Sequence, residues 1–229
     1  MGRLVEELDY RATPMGPISL RRRWVSAIDA DVYEVLLGDE HLMSSLFTVG
    51  ETQLSTLGLA WARGEALRVL IGGLGLGYTA RAALADPRAR EVEVVDVQDA
   101  VIDWQRQGLT PMGRTLVDDP RCRLTHADFF ARFNGQDERW HAILLDIDHS
   151  PSRWLAPNHA DFYGEASLRR MRDSLVDEGV FGMWSDDPPD PDFLARLESV
   201  FSEVDAPQVA FDNPLTGEVS HCTIYRARK

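Results

Sequence analysis

The chain has 229 residues, of which 44% are hydrophobic and 27% are charged, and this composition predicts one substantial core rather than a disordered chain. The formal net charge of −13 at pH 7 argues against a nucleic acid or an anionic membrane as partner, because like charges repel at long range. The same charge is compatible with a small cationic substrate, and also with a surface that serves solubility alone.

The first 50 residues predict a short N-terminal β appendage. Residues 1–17 mix charges with proline and glycine, so we expect an irregular leader there. A short strand over residues 18–22 and a hairpin that turns at Gly38 complete the appendage, and its exposed edge is a candidate contact for a homodimer. The first ten residues lack the basic and apolar regions of a signal peptide, and no apolar run approaches the ~20 residues of a membrane span, which predicts a cytoplasmic location.

Residues 51–229 predict one α/β domain with a doubly wound, mostly parallel sheet, because apolar strands alternate with helical patterns. A helix over 51–66 leads into it. The core elements are strands at 67–71, 92–95, 122–125, 142–146 and 179–184, and helices at 78–85, 100–107, 166–175 and 192–201. Near the C-terminus, the segments 208–211 and 220–226 flank the turn signal Asn213-Pro-Leu-Thr-Gly-Glu, so the sheet should end in an antiparallel pair.

The stretch from residue 67 to residue 84 organises the chain as strand, glycine-rich turn and helix. Its turn carries Gly72, Gly73, Gly75 and Gly77. Glycines allow positive φ angles and a close approach of a ligand to the backbone, and the following helix offers unpaired N–H groups. The turn therefore predicts a binding site for a nucleotide-like cofactor, although glycines also serve simple chain reversal.

Acidic residues follow the next core strands. Asp96 ends the second strand about twenty residues after the turn, where an α/β fold places the carboxylate that binds a ribose. Asp128 is a candidate acceptor for an adenine amino group, with Val97 or Phe129 packed on the ring, or else the N-cap of a helix.

The chain has two cysteines, Cys122 and Cys222. They are too few and too isolated for a disulfide framework or a zinc site, so we expect reduced thiols and no metal centre.

Asp146 and Asp148 close an otherwise apolar strand and enter one loop. A carboxylate at this point can hold an ammonium-bearing substrate and accept its proton, since an amine attacks only after deprotonation. Asp146 is our candidate catalytic residue, against the alternative of a turn-forming or capping residue.

Together, the glycine turn, the segment around Asp96, Thr125-His-Ala-Asp-Phe-Phe and Ile143-Leu-Leu-Asp-Ile-Asp-His-Ser-Pro resemble the ordered motifs of the spermidine synthase family over roughly residues 51–184. The resemblance implies the Rossmann-like fold of class I methyltransferases and S-adenosylmethionine, or its decarboxylated form, as cofactor. It also implies that Asp96 binds the ribose, that Asp128 binds the adenine, and that Asp146 deprotonates and orients the attacking amine.

The chain departs from the family pattern on the substrate side. Gly75 stands where the family carries an aspartate that helps bind the aminopropyl ammonium, and His149 stands where it carries a second loop acid. The family's Tyr-rich segment is replaced by Val49-Gly-Glu-Thr-Gln. Glu51, Asp148 and His149 are the candidate substrate contacts, and His149 is an alternative base or a solvated loop residue.

Three functions follow from these patterns. The leading hypothesis is a spermidine synthase-like transferase that moves an aminopropyl or related alkyl group from a sulfonium to a small amine. The alternatives are an S-adenosylmethionine-dependent methyltransferase acting on a small molecule, for which the Gly-x-Gly-x-Gly spacing of the turn is also typical, and a cofactor-binding homologue without turnover.

Overall fold

A computed structural model describes residues 5–133 and 138–229, which form two β-sheets with helices packed around the larger one. The strands are β1 (Val5–Thr13), β2 (Gly16–Val25), β3 (Ala30–Leu37), β4 (Glu40–Ser44), β5 (Leu67–Gly72), β6 (Ala89–Asp96), β7 (Cys122–His126), β8 (Trp140–Leu145), β9 (Leu175–Ser185), β10 (Glu203–Asp205), β11 (Gln208–Asp212) and β12 (Val219–Arg228). The helices are α1 (Val49–Trp61), α2 (Tyr78–Ala85), α3 (Asp99–Gln107), α4 (Thr115–Asp118), α5 (Glu165–Asp173) and α6 (Pro191–Glu198), with 3₁₀ helices at Phe130–Phe133 and Pro157–Tyr163.

The smaller sheet is an antiparallel meander in the order β1-β2-β3-β4. The predicted hairpin at Gly38 is confirmed, whereas the expected irregular leader is wrong from Val5 onward, where β1 begins. The charges that favoured a loop tie this strand to the core instead. The indole N–H of Trp104 in α3 donates to the Asp9 carboxylate over 2.6 Å, and the Arg11 guanidinium donates to Asp103 over 2.9 Å.

The larger sheet confirms the predicted doubly wound architecture. Its order is β10-β12-β9-β8-β5-β6-β7, with β11 also paired to β12. The strands β9, β8, β5, β6 and β7 run parallel to one another. Strand β12 pairs antiparallel with β9, β10 and β11, and its pairing with β11 is the one that the C-terminal turn signal predicts. The strand order reverses between β5 and β8, and a crevice at the carboxyl ends of the strands forms at such a point.

Several element bounds differ from the predicted ones. Helix α1 ends at Trp61 rather than at residue 66, because Ala62 takes an extended conformation and Gly64 follows with a φ of +112°. The short elements α4 and β10 were not predicted, since four and three residues show no periodicity.

One apolar cluster joins the two sheets. Ile18 and Leu20 of the smaller sheet belong to the same buried cluster as Val69 and Ile71 of β5. The smaller sheet therefore lies against the core and covers part of it. Among the residues that the structure describes, no helix is both long enough and apolar enough to cross a membrane.

We expect Asp9→Ala to weaken the attachment of β1 to α3, since it leaves the N–H of the fully buried Trp104 without its acceptor. The free energy of unfolding should fall by about 1–3 kcal/mol, measured by urea denaturation. Glu7→Ala, at an exposed position of the same strand, is the matched control and should unfold like the parent protein.

Candidate functional site

A cavity of about 300 Å³ lies between the smaller sheet and the carboxyl ends of the parallel strands. Nine of the residues predicted from the sequence line it: Glu51, Gly73, Gly75, Asp96, Val97, Asp128, Phe129, Asp146 and His149. The structure thus brings together residues that are distant in sequence, from Glu51 to His149, 98 positions later. Gly72, Gly77 and Asp148 are the predicted residues that do not line it.

The glycine turn meets the cavity through Gly73 and Gly75. Gly73 has a φ of +92°, and a Cβ there would lie 2.0 Å from the carbonyl oxygen of Asp146, so no side chain fits. Gly75 has a φ of +47°, and a Cβ there would lie 2.6 Å from the sulfur of Met43 in β4. These two positions expose backbone to the cavity, as the sequence predicts.

Gly72 and Gly77 have a different role from the predicted one. A Cβ on Gly72 would lie 2.7 Å from the Phe129 ring, and one on Gly77 would lie 2.7 Å from the Leu116 side chain. Both are required by packing behind the cavity rather than by direct contact with a ligand. The predicted contact of these two glycines with the cofactor stays a prediction, since neither lines the cavity.

Asp96 is held rigidly at the end of β6. Its two carboxylate oxygens accept hydrogen bonds from the backbone N–H groups of Leu74 (2.9 Å) and Gln98 (2.8 Å). Burial raises the pKa of this carboxyl above its ordinary value, against the lowering effect of these bonds. Because each oxygen keeps a second acceptor position, the carboxylate can also bind hydroxyl groups in the cavity.

Asp128 both caps a helix and faces the cavity. One of its oxygens accepts hydrogen bonds from the backbone N–H groups of Phe130 (2.9 Å) and Ala131 (3.4 Å), so the N-cap alternative is confirmed. Phe129 is only 2% exposed and packs edge-on against Phe133, whereas Val97 is 49% exposed. Val97 therefore presents more surface to a planar ligand than Phe129 does.

Asp146 and Glu51 form a buried acidic pair in the cavity. The Thr79 hydroxyl donates to the Asp146 carboxylate over 2.5 Å, and burial raises the pKa of Asp146 to about 6. Burial, together with the nearby charge of Asp146, raises the pKa of Glu51 to about 8. Ionisation of both carboxyls at once is therefore disfavoured near neutral pH.

Asp148 is turned away from the cavity and is almost fully buried. It accepts hydrogen bonds from the backbone N–H of Leu155 (2.8 Å), from His159 Nδ1 (2.8 Å) and from the Tyr163 hydroxyl (2.7 Å). The carboxylate of Asp148 therefore anchors residues 155–163, and its predicted substrate contact stays a prediction.

His149 joins the core to the smaller sheet at the edge of the cavity. Its Nε2 lies 2.9 Å from a carboxylate oxygen of Glu40, at the start of β4. Its carbonyl oxygen accepts the backbone N–H of Asp186 over 2.8 Å. The imidazole is paired rather than merely solvated.

Trp184 and Met43 are two of the lining side chains that were not predicted. Trp184, near the carboxyl end of β9, lines the cavity beside Gly50, whose Cβ would lie 2.3 Å from the indole nitrogen. The side chain of Met43 in β4 packs against the glycine turn, with its sulfur 3.0 Å from the backbone nitrogen of Leu76. The rule that ligands bind at the carboxyl ends of strands would have identified Trp184, whereas no sequence signal marks Met43.

The chain is related in sequence to polyamine aminopropyltransferases. It is 29% identical over 198 residues to polyamine aminopropyltransferase 2 of Pseudomonas aeruginosa, covering 80% of this chain and 55% of the relative. It is 35% identical over 143 residues to the polyamine aminopropyltransferase of Sulfolobus acidocaldarius, covering 60% of this chain and 46% of the relative. The chain therefore spans about half the length of the curated relatives it matches. No family model matches it.

Solved structures share the fold. A crystal structure of spermidine synthase in complex with the transition-state analogue AdoDATO matches with a TM-score of 0.77 and 17% identity, covering 97% of this chain and 73% of that one. Human methyltransferase-like protein 13 in complex with SAH matches with a TM-score of 0.60 and 20% identity, covering 78% of this chain and 81% of that one. The predicted resemblance to the spermidine synthase family, and the methyltransferase-like fold, are confirmed.

We expect Glu51→Gln to change how stability depends on pH. Burial keeps the Glu51 carboxyl protonated in the folded state up to a pKa of about 8, whereas the unfolded chain ionises near the ordinary pKa of 4.5. The folded state binds more protons within this window, so the free energy of unfolding of the parent falls as the pH rises through it. The variant should equal the parent at pH 5 and exceed it by about 1–3 kcal/mol at pH 8.

Urea denaturation at both pH values measures this effect. Glu65→Gln, at an exposed position, is the control and should not alter the pH dependence. Equal stability of Glu51→Gln and the parent at pH 8 would contradict the buried pair.

We expect Asp148→Asn to destabilise the segment 155–163, because an amide places donor hydrogens against groups that themselves donate. The free energy of unfolding should fall by about 2–4 kcal/mol. Asp161→Asn, an exposed acid in the same segment, serves as control, and thermal unfolding compares the two. Loss of stability in both variants alike would contradict the role of Asp148 as an anchor.

Proposed function

We propose that this chain, which is similar in sequence to polyamine aminopropyltransferases and has the fold of spermidine synthase, is a transferase that moves an aminopropyl group from decarboxylated S-adenosylmethionine to a small amine. The observation that carries the proposal is the position of Asp146. Asp146 lines the same cavity as the glycine turn and Asp96. A cofactor site and a candidate base are therefore adjacent.

The cavity suits an adenosyl group. Gly73 and Gly75 leave its wall free of side chains, and a Cβ at either position would require a neighbour to move. In this proposal, Asp96, which two backbone N–H groups orient, accepts hydrogen bonds from the ribose hydroxyls. Val97 and Asp128, which follow β6 and β7 and line the cavity, are the proposed contacts of the adenine ring and its amino group.

Decarboxylated S-adenosylmethionine supplies an aminopropyl group on a sulfonium, and its carbon–sulfur bond breaks, with the electron pair staying on sulfur, as the amine nitrogen bonds to that carbon. Asp146 accepts the proton that leaves the amine. A carboxyl with a pKa of about 6 is ionised near neutral pH yet basic enough to take part in proton transfer. The Thr79 hydroxyl fixes the direction of this carboxylate, and alignment of the amine supplies most of the rate enhancement.

Methyl transfer from S-adenosylmethionine is the second candidate function. Position 75 is a glycine packed against Met43, so this position supplies no carboxylate for the ammonium of an aminopropyl group. The human methyltransferase-like protein has a similar fold. Mass spectrometry of incubations with each cofactor separates the two functions. Methylthioadenosine marks aminopropyl transfer and S-adenosylhomocysteine marks methyl transfer. The absence of both products marks a binding homologue without turnover.

The cytoplasmic location and the homodimer predicted from the sequence stay predictions within this proposal.

We expect Asp146→Asn to abolish turnover while leaving cofactor affinity nearly unchanged. The amide keeps the shape of the side chain but cannot accept the amine proton. The value of kcat should fall by at least ~100-fold, and the dissociation constant of methylthioadenosine, measured by calorimetric titration, should change by less than about 3-fold.

Asp96→Ala is the complementary variant. It should weaken methylthioadenosine binding, because charge-assisted hydrogen bonds to the ribose contribute about 1.5–3 kcal/mol each. Full activity of Asp146→Asn would remove this residue from the mechanism, and unchanged affinity in Asp96→Ala would remove Asp96 from the cofactor site.

A further inference from the structure

The glycine turn presents five successive backbone N–H groups, those of residues 73–77, and four of them donate to oxygen atoms of the protein. Leu74 and Gly75 donate to the Asp96 carboxylate. The other two bonds end on backbone carbonyl oxygens and run from Gly73 to Val95 over 2.9 Å and from Gly77 to Leu74 over 2.8 Å. Each of these four groups would have to give up an oxygen acceptor before it could bind a ligand.

The remaining N–H of the turn, that of Leu76, has a sulfur acceptor instead. It donates to the thioether of Met43, in β4 of the smaller sheet, over 3.0 Å. The same sulfur fills the space beside Gly75, where it would lie 2.6 Å from an added Cβ. A thioether is uncharged and accepts hydrogen bonds only weakly, so this N–H is the one on the turn that a carboxylate would bind at the lowest cost. The Met43 side chain covers it.

The acidic and basic side chains that line the cavity do not balance a negative charge. Of the described residues in this lining, none is a lysine or an arginine, and four are acidic: Glu51, Asp96, Asp128 and Asp146. A carboxylate that entered the cavity would be repelled by ionised acids, and it would lose its hydration without gaining a counter-ion.

The other polar side chains of the lining are either paired with acids or neutral. His149 lies 2.9 Å from the carboxylate of Glu40, and His159 lies 2.8 Å from that of Asp148. The amide and indole side chains of the lining are those of Gln98, Asn158 and Trp184. A ligand carboxylate would therefore rely on neutral donors, unless it displaced a carboxylate of the protein from a histidine.

In the proposed function, the cofactor side chain lies along the glycine turn. Its ribose lies at Asp96, and the carbon that reacts lies near Asp146. The turn connects these two positions, since Leu74 donates to Asp96 and the backbone of Gly73 packs against the carbonyl group of Asp146. The cofactor side chain thus runs past Met43, which lines the cavity at the same turn. S-adenosylmethionine carries a carboxylate on this side chain, and its decarboxylated form lacks it.

We propose that Met43 selects the decarboxylated cofactor by covering the N–H of Leu76, so that a carboxylate on the cofactor side chain finds neither a free donor on the turn nor a counter-ion. This inference rests on the proposed function for the position of the cofactor, and it names the residue that distinguishes the two cofactor forms. The smaller sheet thereby contributes a specificity-determining side chain to a site whose other cofactor contacts come from the parallel strands.

The test compares S-adenosylhomocysteine with its decarboxylated counterpart, S-adenosyl-3-thiopropylamine. The two ligands differ only by the carboxylate, and neither has a sulfonium from which a group could be transferred. Calorimetric titration measures both dissociation constants. We expect the parent protein to bind the decarboxylated ligand at least ~10-fold more tightly, and Met43→Ala to reduce this ratio by about 10-fold or more through tighter binding of S-adenosylhomocysteine, because the Leu76 N–H becomes free.

Three further variants control for folding and for cavity size. Met43→Thr, a short side chain that suits a strand, should reduce the ratio as Met43→Ala does. Met43→Leu keeps an apolar side chain of similar volume over the N–H and should keep the preference of the parent. Leu42→Ala removes a neighbouring lining side chain and should also keep it. An unchanged ratio in both short variants, an equal shift in Leu42→Ala, or a lost preference in Met43→Leu would each overturn the role of Met43.

Turnover separates this inference from the proposed function, and mass spectrometry of incubations with decarboxylated S-adenosylmethionine and a panel of amines measures it. A preference for the decarboxylated ligand that Met43→Ala removes, without methylthioadenosine production, would support the selection and contradict aminopropyl transfer. Methylthioadenosine production with the same binding ratio in Met43→Ala as in the parent would support the transfer and overturn the selection by Met43. Equal binding of the two ligands by the parent protein would overturn the selection as well.

Discussion

The close approach of the glycine turn to the loop after β8 is the constraint on which the site depends. The backbone of Gly73 packs against the carbonyl group of Asp146, and the N–H of Asp146 donates to the carbonyl of Gly72 over 2.8 Å. The N–H of Gly73 donates in turn to the carbonyl of Val95 in β6 over 2.9 Å. Three loops that follow neighbouring parallel strands are thus fixed to one another by backbone bonds, so the position of the Asp146 carboxyl does not rely on side-chain packing alone.

The acidic pair shows how the fold sustains an unfavourable arrangement. Burying two carboxyls near each other opposes folding when both are charged, and protonation of one of them reduces this cost. Glu51 reaches Asp146 because α1 packs against β9 and β8, where glycines at positions 50, 58 and 182 allow close contact. The helix that contributes the second acid is therefore positioned by small residues rather than by polar bonds.

The parts of the site that follow general rules of α/β folds could be predicted from the sequence. The positions of Asp96 and Asp146 follow from apolar strands whose carboxyl ends meet at one edge of a sheet. The orientation of Asp148 could not be predicted, because its donors come from residues 7 to 15 positions later, as the hydrogen bonds to Leu155 and Tyr163 show. The partnership of Glu51 with Asp146 depends on the packing of a helix against the sheet, which one sequence does not specify. Strand β1 was missed because charged residues with distant partners have the same composition as a loop.

The contact between Asp9 and Trp104 spans 95 positions of the chain, and it fixes the sheet that covers the cavity. Contacts of such sequence separation form slowly, because a long loop must close before they contribute. The pairing of β5 with β8 imposes a similar requirement, since it joins Val69 to Ala142, 73 positions further along the chain. Until both contacts have formed, the apolar residues of the smaller sheet and of β5 stay exposed, and exposed hydrophobic surface favours association with other unfolded chains.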